Sequence, residues 1–324
     1  MSSRISRYQE SISRFIKTKS SYCEILKFNN SLENLISVND HEASIILLTI
    51  LNGQLKKKNL KSHGYHMAAG IDLMMSIIMI NDNVAYFESK FNKGVVKNFI
   101  NQAPVYIYEC LSQNIETLEN MVDKDKTSKT QKKIHSFLHK KMLDITKHEN
   151  IVGVEKPHRT DIIKYKFQDK TIINTKYRVL KIIDKDTLLN HVERTYGTVC
   201  QCAFVLGWLL GLGEEKAIPH LEKLGNSLGL IIKLSNDFKN LERDISTSNE
   251  ISYNMIINCG IHECFSIFDD NKTSLIEGCL LMDVYSITIK EVIDNIEKKF
   301  DTHLKNTDLE LNSRYSSFST MPSK

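Results

Sequence analysis

Apolar residues return every three or four positions along most of this chain, and strict two-residue alternation is rare. That period gathers apolar side chains on one helical face, so the pattern predicts helices rather than strands. Helices are expected over residues 8–28, 40–56, 64–92, 95–122, 130–147, 173–183, 186–212, 215–246, 249–268, 273–282 and 284–304. The charged run at residues 123–133 reads as a solvated turn, and residues 148–171, with a proline and mixed charges, as a partly ordered loop. No repeat or linker divides the sequence. The expected architecture is an all-α, single-domain helical bundle over residues 1–324, with flexible tails at about 1–8 and 316–324.

Composition supports that picture and removes several function classes. The 324 residues include 13 Gly and only 4 Pro, few interruptions for long helices. Hydrophobic residues at 41% and charged residues at 25% describe an ordinary globular chain. A net charge of +4 with scattered lysines provides no stripe for nucleic acid. The longest apolar stretches, near residues 73–80 and 203–212, are shorter than the roughly 18 residues of a membrane span. Seven cysteines without metal-ligand spacing point to a reducing compartment. The basic N-terminus lacks the apolar core of a signal peptide, so the expected location is the cytoplasm.

The segment richest in chemistry runs Leu234-Ser235-Asn236-Asp237-Phe238-Lys239-Asn240-Leu241-Glu242-Arg243-Asp244. Asn236, Asn240 and Asp244 fall at i, i+4 and i+8, within about 80° of one helical face. Three oxygen donors there can hold a hard cation such as Mg²⁺ and leave room for water and phosphate oxygens. Arg243 sits beside the last of them, in reach of the same phosphate. An ordinary solvated face shows the same spacing; what sets this one apart is the apolar run that precedes it.

The segment resembles the second metal motif of class I terpene synthases, members of the isoprenoid synthase superfamily, with Asn240 in place of Ser or Thr and Asp244 in place of Glu. Three further places carry the resemblance. Arg194 lies 42 residues before Asn236 and is followed by Gly197 and Thr198. In the family an Arg at this separation senses the diphosphate, and a helix break follows it, here expected at Gly197, whose carbonyl or that of Thr198 would face the cavity. Arg314-Tyr315 lies 78 residues after Asn236, where similar enzymes bear an Arg-Tyr pair on the diphosphate. The stretch from Met79 to Glu88 resembles the site of the aspartate-rich motif, about 155 residues upstream. Only Asp82 matches there. Asn83 and Tyr86 replace the other acids, and Glu88 would contribute only if the helix end unwinds. Asp269-Asp270 reads as a turn or helix start.

The resemblance implies the following chemistry. A linear prenyl diphosphate, farnesyl diphosphate first among them, is ionised with Mg²⁺ (three ions, with Mn²⁺ able to substitute). The metal ligands would be Asp82, Asn236, Asn240 and Asp244, with Asn83 and Glu88 as further candidates. Arg194, Arg243, Arg314 and Tyr315 would bind the diphosphate. Aromatic faces of Phe87, Phe204 and Trp208 would stabilise the cation, although helical aromatics also serve simply as core. The product would be a cyclic hydrocarbon or alcohol such as a sesquiterpene, and the protein a monomeric or homodimeric lyase. A chain-elongating trans-prenyltransferase is the alternative. Against it, the motif opens with Asn236, and Gly53-Gln54-Leu55-Lys56, the nearest match to a homoallylic diphosphate segment, has no Arg. A helical binding subunit without catalysis is the third reading.

Overall fold

The computed structural model describes residues 3–19, 40–61, 63–122, 124–146, 154–155, 181–246 and 252–305. In chain order the helices are α1 (Arg4–Lys19), α2 (Glu42–Lys57), α3 (Tyr65–Asp82), α4 (Val84–Phe91), α5 (Lys93–Glu119) and α6 (Lys124–Thr146). There follow α7 (Lys185–Val192), a π-helical turn (Glu193–Gly197), α8 (Thr198–Leu210), a short 3₁₀ turn (Glu215–Ala217), α9 (Ile218–Ser246), α10 (Met255–Cys259), α11 (Ile261–Leu281) and α12 (Ile287–Lys305). The backbone gathers into two compact units. The first draws on Met1–His148, Glu193–Gly229 and Ser274–Val292, and the second on Glu149–Val192, Leu230–Thr273 and Ile293–Lys324.

In the first unit α2, α3 and α8 are apolar on nearly every side, and such helices need neighbours all round. Ala43 to Leu48 and Thr198 to Gly207 are buried without interruption. Helix α2 lies against α3 and α8, α3 against α5, and α8 also against α6. A side chain at Gly207 would start 2.8 Å from the carbonyl oxygen of Leu47, so only glycine lets α8 approach α2 this closely. Helix α1 begins at Arg4, and the Arg4 and Ile5 N–H groups donate to Glu291 at 3.0 and 3.4 Å. Two orphan donors of a helix end are thereby satisfied, and residues 4–8, expected as tail, are helical.

In the first unit the bend at Asn83 and the start of α6 differ from the periodicity. The predicted helix 64–92 breaks at Asn83, where α3 and α4 meet at a bend of 103°. The Asn83 N–H reaches back to Ile80 O, the tight last turn that Asn favours at a helix end. The charged run at 123–133 is helical from Lys124 onward, because Ile134, Leu138, Met142 and Ile145 bury one face of α6 and carry the helix through its polar start. No single helix among the described residues is long and apolar enough to cross a membrane.

The second unit holds the only strand pair among the described residues. Val154–Glu155 pairs antiparallel with Lys181–Ile182, so the helix predicted over 173–183 ends instead on a two-residue strand; residues 173–180 lie outside the described residues. Helix α11 runs straight through Asp269-Asp270, where a turn is expected. The break falls earlier, at Gly260 with φ 87°, and Lys272 bonds Glu297 at 2.6 Å, with Asp269 3.4 Å away. Phe238, Phe265, Phe268 and Phe300 form the aromatic core, the last two rings stacked at 4.1 Å.

A buried ion pair joins three helices of the first unit. His41 Nδ1 lies 2.7 Å from Asp72 Oδ2 on α3, and Ser44 of α2 donates to Asp72 Oδ1 at 2.5 Å. Ser13 of α1 is 3.3 Å from His41 Nε2. Burial is the largest influence on His41 and opposes its charge. The charge and hydrogen bond of Asp72, with Glu42 and Asp40, together outweigh it and raise the His41 pKa. A raised histidine pKa contributes stability that is complete below its unfolded value and lost as pH rises through the folded one. His41→Gln should cost about 3 kcal/mol at mildly acidic pH. Thermal melts of both proteins should converge as pH is raised from about 6 to about 9; a constant gap would remove the ion pair from the account.

Candidate functional site

Helix α9 crosses hard against the π-turn at Gly229, part-way along its length. A side chain at Gly229 would start 2.5 Å from the backbone nitrogen of Gly197, so glycine is required for this contact. The sequence predicts a helix break at Gly197. The chain instead stays helical there (φ −56°, ψ −49°), and the irregularity is the five-residue π-turn Glu193–Gly197. Such turns are rare and concentrate at functional sites. Thr198 Oγ1 donates to the carbonyl of Glu193, five residues back, at 3.2 Å, and the Glu193 carboxylate accepts from Asn226 Nδ2 at 2.7 Å. Gly197 and Thr198 are buried, while Arg194 is exposed.

A polar chain backs the turn, one that sequence reasoning missed. Asn226 accepts from Gln201, Gln201 accepts from Lys141, and Lys141 pairs with Glu222 at 2.7 Å. Lys141 is only 6% exposed, so this cation needs both partners. One signal was available: Lys141 falls on the stripe of α6 that otherwise carries Ile134, Leu138 and Ile145.

Further along α9, in the second unit, the two acids of the motif are buried and engaged. Asp237 Oδ1 pairs with Lys233 at 2.7 Å, one turn earlier, and Asp237 Oδ2 accepts the Met255 N–H at 2.8 Å. Burial pushes the Asp237 carboxyl up to about 7, against the pull of Lys233 and the Met255 N–H, with Asp244 adding to the rise. Asp244 Oδ1 accepts from Arg243 Nε and Nη2 at 3.0 and 2.9 Å, and its Oδ2 from Asn254 Nδ2 at 2.9 Å. Asn236 and Asn240 are half-buried. Mg²⁺ takes a near-octahedral shell of oxygens, carboxylates first among protein donors. The set Asn236, Asn240 and Asp244 does not fit such an ion: both oxygens of its one carboxylate are hydrogen-bonded, and the rest are neutral amides. No group of three His, Cys, Asp or Glu side chains among the described residues is placed to hold a metal.

The other sequence-derived positions scatter between the units. Asp82 ends α3 and is half-buried, Asn83 is the bend, and Glu88 is half-buried on α4. Phe87 is buried, edge-on to Tyr86 at 5.2 Å and stacked on Phe91 at 6.3 Å. Phe204 is fully buried in α8. Trp208 closes the turn after α8: its Nε1–H donates to Glu214 O at 2.9 Å and its ring covers Gly213. Asp82, Phe87, Arg194, Gly197, Thr198, Phe204 and Trp208 belong to the first unit, and Asn236, Asn240, Arg243 and Asp244 to the second. Arg314 and Tyr315 lie outside the described residues.

No family model matches this chain, and no curated protein does. Solved structures match along almost its whole length. A geranyltransferase from Helicobacter pylori is 12% identical with a TM-score of 0.56, covering 92% of this chain and 98% of its own. A geranylgeranyl pyrophosphate synthetase from the archaeon Geoglobus acetivorans is 12% identical with a TM-score of 0.53, covering 93% and 99%. An FPP/GFPP synthase from Zymomonas mobilis is 9% identical with a TM-score of 0.53, covering 91% and 98%. The chain has the all-α fold of the isoprenoid synthases.

Proposed function

We propose that this chain binds a linear allylic prenyl diphosphate and transfers its prenyl group to a second isoprenoid unit. The observation that carries the reading is fold similarity across more than nine-tenths of the chain to structures named as a geranyltransferase and a geranylgeranyl pyrophosphate synthetase. In that reaction the allylic C–O bond breaks, diphosphate leaves, the cation is captured by the partner's double bond, and a proton is lost to form the longer product.

The chain's own residues have defined tasks. Arg194, exposed on the π-turn, offers a planar fork of donors to diphosphate oxygens. The turn itself is held rigid by Thr198, Asn226 and the Lys141 chain, so the guanidinium starts from a fixed backbone. Magnesium, the ion that the motif spacing implies, would travel with the diphosphate as its counter-ion, since Asp237 and Asp244 are committed to protein partners.

Cyclisation of the same cation is the second reading, favoured by the Asn236, Asn240 and Asp244 spacing with Arg194 upstream and Arg314-Tyr315 downstream. The purified chain with Mg²⁺ and labelled C10, C15 or C20 diphosphate decides between them. With isopentenyl diphosphate present, a longer prenyl diphosphate is the expected product. A hydrocarbon or terpene alcohol would establish the cyclase instead, and absence of diphosphate release would leave only a binding subunit. Arg194→Ala should lower kcat/KM for the allylic substrate about 10²-fold, the loss typical of one donor on a developing anion. An unchanged value would take Arg194 out of the site.

A further inference from the structure

Ser13, His41 and Asp72, all in the first unit, form a relay. The Ser13 hydroxyl, in the middle of α1, lies 3.3 Å from His41 Nε2, and on the other side of the ring His41 Nδ1 lies 2.7 Å from Asp72 Oδ2. An ionised carboxylate only accepts, which puts a proton on Nδ1 and leaves Nε2 of the neutral ring to accept from Ser13. Ser44 donates to the other Asp72 oxygen at 2.5 Å and holds the carboxylate in place. Asp72 and His41 are buried, whereas Ser13 is half-buried and within reach of solvent. His41 holds a left-handed backbone (φ 62°, ψ 14°), a strained conformation of the kind that clusters at functional sites. One turn before Ser13, the half-buried Gln9 donates to the carbonyl of Asp40, next to His41, at 3.0 Å. A side-chain amide carries two hydrogens, so Gln9 keeps a second for another acceptor.

We propose that these residues form a separate site that cleaves small carboxylic esters, with Ser13 as nucleophile, His41 as general base, Asp72 as positioning residue and Gln9 as oxyanion donor. None of the residues assigned to prenyl transfer takes part. Ser13 Oγ bonds to the ester carbonyl carbon as its proton passes to His41 Nε2, and the carbonyl electrons move onto oxygen beside Gln9. As they return, the C–O bond to the alcohol breaks and the alcohol leaves with the proton from His41. Water then repeats the sequence on acyl-Ser13, so that ester and water give acid and alcohol and each group is restored. Asp72 keeps the ring oriented and stabilises the imidazolium formed at each step. Burial opposes charge on His41, but Asp72 on α3, Glu42 on α2 and Asp40 together raise its pKa. A protonated ring accepts nothing from Ser13, so reactivity rises as pH passes through that raised value.

Labelling of the full chain with a fluorophosphonate, located by peptide mass spectrometry, tests this together with hydrolysis of p-nitrophenyl acetate. The label should bond to Ser13 Oγ with loss of fluoride, and the ester should give a stoichiometric burst of p-nitrophenol, the mark of an acyl intermediate. Ser13→Ala should abolish both and leave prenyl diphosphate turnover unchanged. His41→Gln should slow labelling about 10²-fold or more. The wild-type labelling rate should climb between about pH 6 and about pH 9 and then level off. Asp72→Asn should move that inflection to lower pH, because the ring loses the charge that raises its pKa. Should either buried variant not fold, the wild-type profile and Ser13→Ala decide. An unlabelled chain, a label on another residue, a label or burst that survives Ser13→Ala, or a rate without an inflection in that range would return the three residues to a purely structural role.

Discussion

Removing a charge from water costs several kcal/mol, and a helical protein that buries charge must supply the partner itself. His41 with Asp72, Lys141 with Glu222 and Lys233 with Asp237 each meet that demand, and each fixes something larger than the pair. The first ties α1, α2 and α3 together. The second supports the π-turn through Gln201 and Asn226. The third sets the end of α9 against the start of α10. Breaking one member leaves an uncompensated charge, so these pairs enforce geometry even where an apolar substitute for the whole pair would be no less stable.

Close packing makes the demand stringent. At Gly207 and Gly229 helix backbones approach to distances that exclude any Cβ. Water is squeezed out along such seams, and polar groups beside them must bond to protein. The π-turn lies on one of these seams. Its extra residue leaves a wider ring of backbone, and the Thr198 hydroxyl, the Glu193 carboxylate and Asn226 complete its bonding.

The class of fold was legible because its signal is burial, and burial leaves a period. Helices α2, α3 and α8 are long apolar runs with few glycines or prolines, and they stand where the periodicity put them, apart from the bend at Asn83. The errors share a cause. Residues 124–133 look solvated from their charge, yet the apolar face beginning at Ile134 carries a helix through them. Asp269-Asp270 resembles a turn, while the residue that stops the chain is Gly260 with its positive φ. At the candidate site the spacing of Asn236, Asn240 and Asp244 was readable, but their partners were not. Nothing in sequence order brings Asn254 back to Asp244, or tells that Lys233 turns inward to Asp237. Side-chain pairing of this kind is decided by tertiary contact.

Trp208 has a spectroscopic consequence. It is the chain's 1 tryptophan, and it sits in the first unit, where its indole N–H caps the turn after α8. Intrinsic fluorescence excited at the red edge of protein absorption therefore comes from a single, known place. During denaturation that signal follows the loosening of the α8 turn and is blind to the aromatic core of Phe238, Phe268 and Phe300 in the second unit. Far-ultraviolet circular dichroism sees the helices of both. Coincidence of two such probes is the usual criterion for all-or-none unfolding, and the placement of one indole makes this protein report its own cooperativity without a label.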